Sequence, residues 1–456
     1  MIKNLKTGKS VGKDGLSNEH LLYADFKLVV ILTLLFNCMM IHGYIPSSLC
    51  DSLISPVVKD KSESITDKSN YRPIALSNCI LKVIECLLLE RMKPYLCANF
   101  NQFGFKAKHS TDMAIFVLKD LINFYVNHNS PMFICYLDAS KAFDRINHNV
   151  LFAKLKNVPC YITRLLLCIY VNQNIYVKWN SLLSTPFCAS NGIRQGSVLS
   201  PYLFSLYMDE LSNLLNKSGV GCYFNDILLN HLMYADDIVL MCPSYKGLQY
   251  LIDKCGEYGR DHDILFNVNK TKCMCFKPKR YKQWDFPQFS MNNVNIDYVT
   301  FYKYLGHIIS VDNDKKDIQR QIAQLYARGN TMINYFDKCS QDVKIILFRS
   351  YICNIYCSHL WTQYTQSSFA DVTTAYNNIF RRFFHLPRFL DGVVYSATNM
   401  LSEKNLPTAR EIIMTNVKSL YKRIVCSENV IFQHCSSAGL LRRSTIVQHW
   451  WSVGLV

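Results

Sequence analysis

The feature that most constrains this chain is a pair of short apolar segments that lead directly into aspartate. The first, MFICYLD, covers residues 132–138, and the second, HLMYADDIVLMC, covers residues 231–242. Alternating apolar side chains predict a strand in the first segment, and two short strands joined by a tight turn through Ala235 and Asp236 in the second. A carboxylate at the tip of a buried strand is costly unless a partner compensates its charge. The pattern therefore predicts a sheet with acidic side chains at its edge.

Helical periodicity surrounds these predicted strands. Apolar side chains recur at helical spacing over residues 80–96 and again from Ser200, which is predicted to cap a helix whose first residue is Pro201. The polar interval 51–73 predicts a mobile loop or a hairpin, and the chain beyond Tyr302 is predicted to be mostly helical. The expected fold class is therefore α+β, with a core of strands and helices and helical flanks.

Length and charge limit the classes of function. The 456 residues are enough for two or three domains, and half of them are apolar, which is typical of a folded protein. The formal net charge of +16 produces a field that attracts polyanions, of which nucleic acid is the commonest in a cell. A basic protein without such a partner is the alternative that charge alone leaves open.

Cysteine usage and hydropathy argue against two other classes. The 19 cysteines lie largely within apolar runs, no CxxC pair occurs, and Cys273 and Cys275 have no histidine nearby, so neither a disulfide scaffold nor a structural zinc site is expected. A reduced, intracellular protein follows. The apolar run from Leu28 to Ile41 is too short to span a membrane and predicts a buried helix. No membrane partner is expected.

The acidic residues suggest a metal site. If the two apolar segments form neighbouring strands, Asp138 and Asp236 meet at one edge of the sheet and repel each other, with Asp237 beside them. A divalent cation such as Mg²⁺ removes that repulsion, and two such ions catalyse phosphoryl transfer. The alternative is that the aspartates are turn formers or caps at the ends of strands.

The same segments resemble motifs of reverse transcriptases. YADD at 234–237 looks like the metal-binding hairpin of that family, and LDASKAFDRINH at 137–148 resembles its other carboxylate motif. GIRQGSVLSPYLFSLYMDEL at 192–211 resembles the loop and helix that hold the incoming nucleotide and the template. FNVNKTKCMCF at 266–276 and YKYLGHIIS at 302–310 resemble the two palm motifs that follow, the second of which is the primer grip.

Three upstream segments make the resemblance narrower. GKDGLSNEHLL at 12–22, NYRPIALSN at 70–78 and NQFGFKAKHSTDMAI at 101–115 resemble the fingers motifs of LINE-type (non-LTR) retrotransposon enzymes. All eight matches occur in the family's order. The chain is thus identified from its motifs as a member of this group, and a more remote resemblance to group II intron type maturases fits the NYRPI and QFGF stretches less well.

This resemblance implies an RNA-directed DNA polymerase, a nucleotidyltransferase with a right-hand arrangement and an antiparallel palm sheet. It implies N-terminally truncated fingers at residues 1–130, a palm at 131–310, and a helical thumb and tail at 311–456. The implied partners are an RNA template, a DNA primer and dNTPs. The implied cofactor is a pair of Mg²⁺ ions, with Mn²⁺ as a substitute, held by three carboxylates, Asp138, Asp236 and Asp237.

The resemblance also assigns roles around the nucleotide. Phe143 would exclude a 2′-hydroxyl, Gln195 and Gly196 would contact the nucleotide, Arg72 would bind the triphosphate, and Lys270 would protonate pyrophosphate. Each basic residue has a plainer alternative as a solvated charge. Three further residues are candidates near these positions. Lys59 is a candidate for a second phosphate contact, and Lys272, predicted to face the same side of one strand as Lys270, could replace it. Asp144 is expected to be a first-turn acid of the next helix rather than a metal ligand.

One more basic segment and one rival function complete the expectations. Arg381 and Arg382, among Phe380, Phe383 and Phe384, are predicted either to contact a duplex backbone or to form a helix with one core face and one solvated face. The rival from another class is a catalytically silent, nucleic-acid-binding remnant of a mobile element. An endonuclease domain is expected in the full-length element but absent here, and an active enzyme is expected in the nucleus.

Overall fold

The computed structural model describes residues 1–96, 99–224, 227–278, 287–390, 393–437 and 444–455. Its α-helices in chain order are α1 (Asn18–Leu22), α2 (Phe26–His42), α3 (Ser47–Cys50), α4 (Cys79–Met92), α5 (Thr111–Asn127), α6 (His148–Lys154), α7 (Cys160–Val171), α8 (Ser200–Lys217), α9 (Tyr245–Asp261), α10 (Lys315–Phe336), α11 (Gln341–Tyr351), α12 (Gln366–Phe384), α13 (Ala397–Glu403), α14 (Ala409–Val425), α15 (Val430–Ser437) and α16 (Thr445–Ser452).

The strands are β1 (Ser52–Val58), β2 (Tyr71–Ser77), β3 (Met132–Asp138), β4 (Ile175–Trp179), β5 (Leu182–Leu183), β6 (Cys222–Phe224), β7 (Ile227–Leu229), β8 (His231–Tyr234), β9 (Asp237–Cys242), β10 (Lys272–Phe276), β11 (Ser290–Met291), β12 (Val294–Asn295), β13 (Asp297–Tyr298), β14 (Phe301–Tyr304), β15 (His307–Ser310), β16 (Phe389–Leu390) and β17 (Val393–Val394). The α+β class predicted from the sequence is confirmed. The described chain divides into two compact units.

The first unit contains residues 1–105, 138–218 and 253–267. Its sheet has the order β2-β1-β4-β5, with β1 and β2 antiparallel and β4 parallel to β1. The polar interval that predicted a loop or hairpin is the connection of the β1–β2 hairpin. Buried Asn70 closes that connection, because its Oδ1 accepts a hydrogen bond from the Asp60 amide at 3.0 Å and its Nδ2 donates to the Asp60 carbonyl at 2.8 Å.

One helix prediction for this unit is confirmed at its end, and another needs correction at its start. The helical period over residues 80–96 predicts a helix that stops near Pro94, and α4 ends at Met92, with Pro94 in the 3₁₀ turn that follows it. The predicted cap Ser200 is instead the first residue of α8. Leu199 is the cap because its carbonyl accepts hydrogen bonds from the Tyr202 and Leu203 amides, both at 3.0 Å.

The apolar run that predicted a buried helix forms α2, but only one stripe of it is buried. Leu32, Phe36 and Met39 point inward, whereas Ile31 and Leu34 are about 60% exposed. The prediction of a helix is confirmed and the prediction of full burial is wrong, because the run is apolar on all sides and the unit packs against one side only. Within the described residues no helix is both long enough and apolar enough to cross a membrane.

The second unit contains residues 106–137, 219–252 and 268–456. Its main sheet has the order β13-β10-β3-β9-β8, in which β10 pairs antiparallel with β3 and β8 pairs antiparallel with β9. Strand β3 is buried along its whole length up to Leu137, so this sheet lies at the core of the unit. The turn predicted between two short strands at 231–242 is confirmed.

Beyond β15 the described chain is mostly helical, as predicted, and its last helix folds back onto α5. The Asp120 carboxylate accepts hydrogen bonds from the Ser444 hydroxyl and the Thr445 amide at 3.0 and 2.9 Å. Fully buried Trp450 packs against Phe116, with ring centroids 5.9 Å apart. The C-terminal segment is therefore part of the folded core of the second unit.

Candidate active site

The three predicted metal ligands lie at the ends of two strands that are neighbours in the main sheet. Asp138 is the last residue of β3, Asp236 lies in the turn before β9, and Asp237 is the first residue of β9. Asp138 and Asp236 are partly exposed and Asp237 is exposed. The free-energy cost of removing these carboxylates from water is therefore smaller than the apolar segments alone predict. Solvent can therefore reach all three of these residues.

The turn that carries Asp236 is strained. Ala235, which is buried, has a φ of 59°, in the left-handed region that costs an L-residue about 1 kcal/mol or more. Backbone outliers of this kind cluster at functional sites, where surrounding structure holds them in place. The strain marks this turn as a candidate functional position independently of its aspartates.

The donor chemistry of these residues fits a hard divalent cation. All three side chains offer carboxylate oxygens, the ligands that Mg²⁺ takes together with waters and substrate phosphates. No group of three or more His, Cys, Asp or Glu side chains arranged to hold a metal by themselves occurs among the described residues. The two-ion site at Asp138, Asp236 and Asp237 therefore stays a prediction, and the cysteines that the structure describes are free thiols.

Phe143 is held rigidly within the first unit. It lies in a 3₁₀ turn, Ala142–Arg145, and stacks on Phe204 with ring centroids 4.5 Å apart and an interplanar angle of 9°. Phe105 contacts it edge-on at 6.3 Å. The Phe143 carbonyl also accepts a hydrogen bond from the Ile193 amide at 2.8 Å. These contacts fix both the ring and its backbone beside the segment that carries Gln195.

Gln195 and Gly196 cross the edge of β2. The Ala75 amide donates to the Gln195 carbonyl at 2.7 Å, and the Gln195 Nε2 donates to Asp144 Oδ1 at 3.0 Å. Gly196 has a φ of 111°, and a Cβ there would lie 3.0 Å from the Ala75 carbonyl oxygen. A glycine is therefore required at position 196 because the backbone of β2 lies so close to it. The sequence suggested a different reason, which was contact with a nucleotide.

Asp144 has a different role from the one predicted for it. It lies in the 3₁₀ turn before α6, whose N-cap is Asn147, and its carboxylate orients Gln195 instead of stabilising that helix. Surrounding protein raises the pKa of Asp144, while the hydrogen bond from Gln195 and the charges of Lys141 and Lys59 act to lower it. Both lysines thus lie close to the predicted nucleotide-contacting residues, and no sequence signal distinguishes Lys141 from an ordinary surface lysine.

Arg72 is on the same strand as the residue that contacts Gln195. It is exposed on β2, opposite Val57 of β1, and its side chain makes no hydrogen bond or ion pair with any residue in the described parts of the chain. The Lys59 Nζ donates to the Ser69 carbonyl at 2.7 Å. Arg72 therefore has the freer charge of the two phosphate-binding candidates.

The two lysines predicted to share a strand are separated by the structure. Lys270 lies exposed in the turn before β10, so the prediction that it is a strand residue is wrong. Lys272 is in β10, and its Nζ is 2.6 Å from Asp297 Oδ2. Because the Lys272 charge is engaged by this carboxylate, Lys272 is the weaker of the two candidates for proton transfer.

The predicted primer grip is the β14–β15 hairpin of the second unit. Its second strand is held near the turn by fully buried Asp317, which accepts hydrogen bonds from the Ile308 amide at 3.0 Å and the Trp361 Nε1 at 2.9 Å and forms an ion pair with Arg320. Burial alone would raise the pKa of Asp317, but these bonds and neighbouring His307 hold it well below its usual range. The hairpin is thus tied to α10.

The basic-aromatic segment of α12 has the core face and the solvated face that one of its two predicted alternatives describes, and contact with a duplex backbone stays a prediction. Phe380, Phe383 and Phe384 are buried, so the aromatic side chains belong to the core. The arginines instead help to line an open cleft of about 660 Å³, whose lining residues are Tyr326, Ile333, Asn378, Arg381, Arg382, His385, Leu386 and Arg388. Arg381 donates to the Pro387 and Tyr395 carbonyls and is partly structural.

Two buried charged residues that hold the segment 192–199, which contains Gln195, were not predicted from the sequence. Glu85 of α4 and Arg194 are both buried, and each makes several hydrogen bonds around residues 192–199. The available signal was a glutamate inside the otherwise apolar run VIECLLL at 83–89, where an acid is expected only if it is paired.

Comparison with known proteins extends these observations. Residues 58–309 match the family described as reverse transcriptase (RNA-dependent DNA polymerase). A Drosophila melanogaster protein named probable RNA-directed DNA polymerase from transposon X-element is 25% identical over 76% of this chain and 39% of its own length. The RNA-directed DNA polymerase from mobile element jockey of Drosophila funebris is 24% identical over 76% of this chain and 39% of its own.

A third relative matches almost the whole chain. The probable RNA-directed DNA polymerase from transposon BS of Drosophila melanogaster is 24% identical over 97% of this chain and 49% of its own length. The chain therefore spans less than half the length of each of these three relatives.

Proposed function

Because this chain belongs to the reverse transcriptase family, we propose that it is the polymerase portion of a LINE-type (non-LTR) retrotransposon enzyme and copies RNA into DNA. The observation that carries the proposal is the arrangement of acids: Asp138 ends β3, Asp236 lies in the turn before the neighbouring strand β9, and Asp237 begins β9. All three aspartates fall inside the segment that matches the family.

The proposed reaction is nucleotidyl transfer. The 3′-hydroxyl of a DNA primer attacks the α-phosphate of a dNTP in line, a new phosphodiester bond forms, and pyrophosphate leaves. Two Mg²⁺ ions, for which Mn²⁺ can substitute, would lower the pKa of the hydroxyl and neutralise charge on the leaving group when bound. Asp138 and Asp236 are the proposed principal ligands, and Asp237 assists them.

The other predicted residues bind and select the nucleotide in this proposal. Phe143, held by its stack on Phe204, occupies the space of a ribose 2′-hydroxyl. Gln195 and Gly196 form the surface against which the nucleotide lies. Arg72 binds the triphosphate with a planar, permanently charged group, and Lys270 supplies a proton to pyrophosphate.

The wider assignment follows from the same proposal. Fingers at 1–130, a palm at 131–310 and a thumb with tail at 311–456 would act on an RNA template and a DNA primer. An endonuclease domain in the full-length element and a nuclear location would accompany target-primed copying.

Primer extension tests the function. With an RNA template, a DNA primer, labelled dNTPs and Mg²⁺, the wild-type chain should extend the primer, and Asp236→Ala should lose at least about a thousandfold in rate, as expected when a catalytic-metal ligand is removed. Chelation by EDTA should abolish extension, and added Mg²⁺ should restore it. Asp371→Ala, which removes an exposed aspartate of α12, is the matched control and should extend normally.

The rival function predicts a different outcome from the same experiment. A silent remnant would bind RNA in a salt-sensitive manner and give no extended product with either metal. That result from a folded wild-type chain would overturn the proposed polymerase activity.

A further inference from the structure

A buried glutamate and a buried arginine hold the segment 192–199 in place at its two halves. Glu85 of α4 is 1% exposed and Arg194 is 6% exposed, and both belong to the first unit. Neither residue is among those expected to touch a nucleotide. Each one nevertheless bonds to the segment that carries Gln195 and Gly196, or forms part of it.

Glu85 holds the C-terminal half of the segment. Its Oε1 accepts a hydrogen bond from the Ser197 hydroxyl at 2.7 Å, and its Oε2 accepts one from the Val198 amide at 3.0 Å. Both carboxylate oxygens are therefore used as acceptors, which suits the ionised form, and charged acceptors make the stronger hydrogen bonds. Burial raises the pKa of Glu85, and the nearby Arg194 charge and these two bonds act against that rise.

Arg194 holds the N-terminal half. Its Nε donates to the Gln173 Oε1 at 3.0 Å, and its Nη2 donates to the carbonyls of Cys50 and Ile169 at 2.7 and 2.9 Å. These acceptors come from two separate parts of the first unit, the end of α3 and the C-terminal end of α7 with the residues just after it. Gln195 and Gly196 thus lie between two anchored points and against β2.

Stability alone is a poor reason for this arrangement. Taking a carboxylate and a guanidinium out of water costs free energy that a well-packed apolar pair would not cost. Two buried, hydrogen-bonded charges instead fix the orientation of the groups they bind, because each hydrogen bond is strong only over a narrow range of distances and angles. A surface that must be held within a fraction of an ångström benefits from such support.

We propose that Glu85 and Arg194 are positioning residues that hold Gln195 and Gly196 rigid for the incoming dNTP. This inference rests on the proposed polymerase function. It assigns selectivity for the nucleotide to a buried pair that acts through the segment 192–199 and does not touch the substrate.

The kinetic test uses two identical substitutions on one helix. Glu85→Gln replaces one acceptor by an amide that faces the Val198 or Ser197 donor, and it should raise KM for dNTP about tenfold, the effect of losing one charged hydrogen bond, while kcat falls much less. Glu90→Gln, on the exposed side of α4 where Glu90 pairs with Lys93, is the matched control and should leave both constants unchanged.

A second measurement is independent of activity. Hydrogen exchange of the peptide that covers residues 192–199 should become faster in Glu85→Gln and stay at the wild-type rate in Glu90→Gln. Ser197→Ala, which removes one of the two donors without changing charge, should raise both exchange and KM to a smaller extent. It serves as the test variant if Glu85→Gln does not fold.

The outcomes separate the two proposals. Faster exchange with an unchanged KM would show that the pair is only structural and would overturn the inference, as would unchanged exchange in a folded variant. Absence of extension by the wild-type chain would instead overturn the polymerase proposal. Binding of a fluorescent dNTP by wild type and Glu85→Gln would then decide the positioning role by itself.

Discussion

At the scale of single residues, Phe143 illustrates a side chain whose position is set by its neighbours. The ring lies flat on Phe204 and edge-on to Phe105, so its rotation is restricted, as the proposed exclusion of a 2′-hydroxyl requires. A rigid apolar wall selects between substrates by steric exclusion. One substrate hydroxyl that does not fit against such a wall costs about 1–3 kcal/mol of transition-state binding. That magnitude corresponds to roughly 10- to 200-fold in selectivity.

Removal of the wall gives a residue-scale prediction. Phe143→Ala should raise kcat/KM for ribonucleotides about 10- to 200-fold relative to dNTPs, because the excluded space opens. Single-nucleotide extension with each nucleotide type measures the ratio, and Phe389→Ala, at an exposed phenylalanine elsewhere, controls for removal of an aromatic ring. An unchanged ratio in Phe143→Ala would show that this ring does not select the sugar.

At the scale of elements, β8 contains a buried titratable group. His231 is 0% exposed, its Nδ1 is 2.6 Å from Asn230 Oδ1, and burial lowers its pKa to about 3. The unfolded chain binds a proton near pH 6.5, whereas the folded strand does not. Because the folded pKa is depressed, the neutral ring is fully compatible with folding above pH 6.5, and stability is lost as the pH falls from there toward 3.

The effect of His231 on the free energy of unfolding can be measured by replacing this one histidine. Between pH 7 and pH 5 the His231 contribution should destabilise the wild-type protein by about 2 kcal/mol, from the linkage of the two pKa values. His231→Gln, which does not titrate, should lack this decrease. Urea unfolding of both proteins at the two pH values gives the difference, and parallel pH dependence of wild type and variant would contradict the expectation.

At the scale of the whole molecule, the net charge of +16 supports a polyanionic partner but does not say where it binds. The cleft beside α12 concentrates cationic side chains, among them Arg382 and Arg388, and Arg388 is oriented by Asn378 at 2.7 Å. Exposed lysines on α14, Lys418 and Lys422, have the same formal charge and do not line this cleft.

Comparison of the two arginines of the cleft with the two lysines of α14 tests whether RNA binding depends on where the positive charges lie or only on the net charge. Arg382→Gln with Arg388→Gln should weaken RNA binding and lower the salt slope by about 1 for each phosphate that an arginine no longer neutralises. Lys418→Gln with Lys422→Gln removes the same net charge and should have a much smaller effect. Fluorescence anisotropy over a series of KCl concentrations measures both, and equal effects would assign the binding to net charge alone.

Much of the fold could be predicted from the sequence because its signals are local. The strand that ends at Asp138, the tight turn through Ala235 and Asp236, the β1–β2 hairpin and the helical C-terminal region all follow from periodicity and turn chemistry. The ordered motifs predicted the family, which the comparison confirmed over residues 58–309. Each of these signals depends on residues that are close together in the chain.

Other properties were decided only by the tertiary structure. Periodicity could not reveal that α2 buries a single stripe, that Gly196 faces the Ala75 carbonyl, or that Lys272 is neutralised by Asp297. The hydrogen bonds that Ser197 and Val198 donate to Glu85 were equally invisible, because α4 and the segment 192–199 are remote in sequence. The sequence by itself determined which residues end the strands and which of them are proposed to carry the chemistry. Which distant side chains hold them in place depends on the segments that folding brings into contact, and no local pattern encodes that.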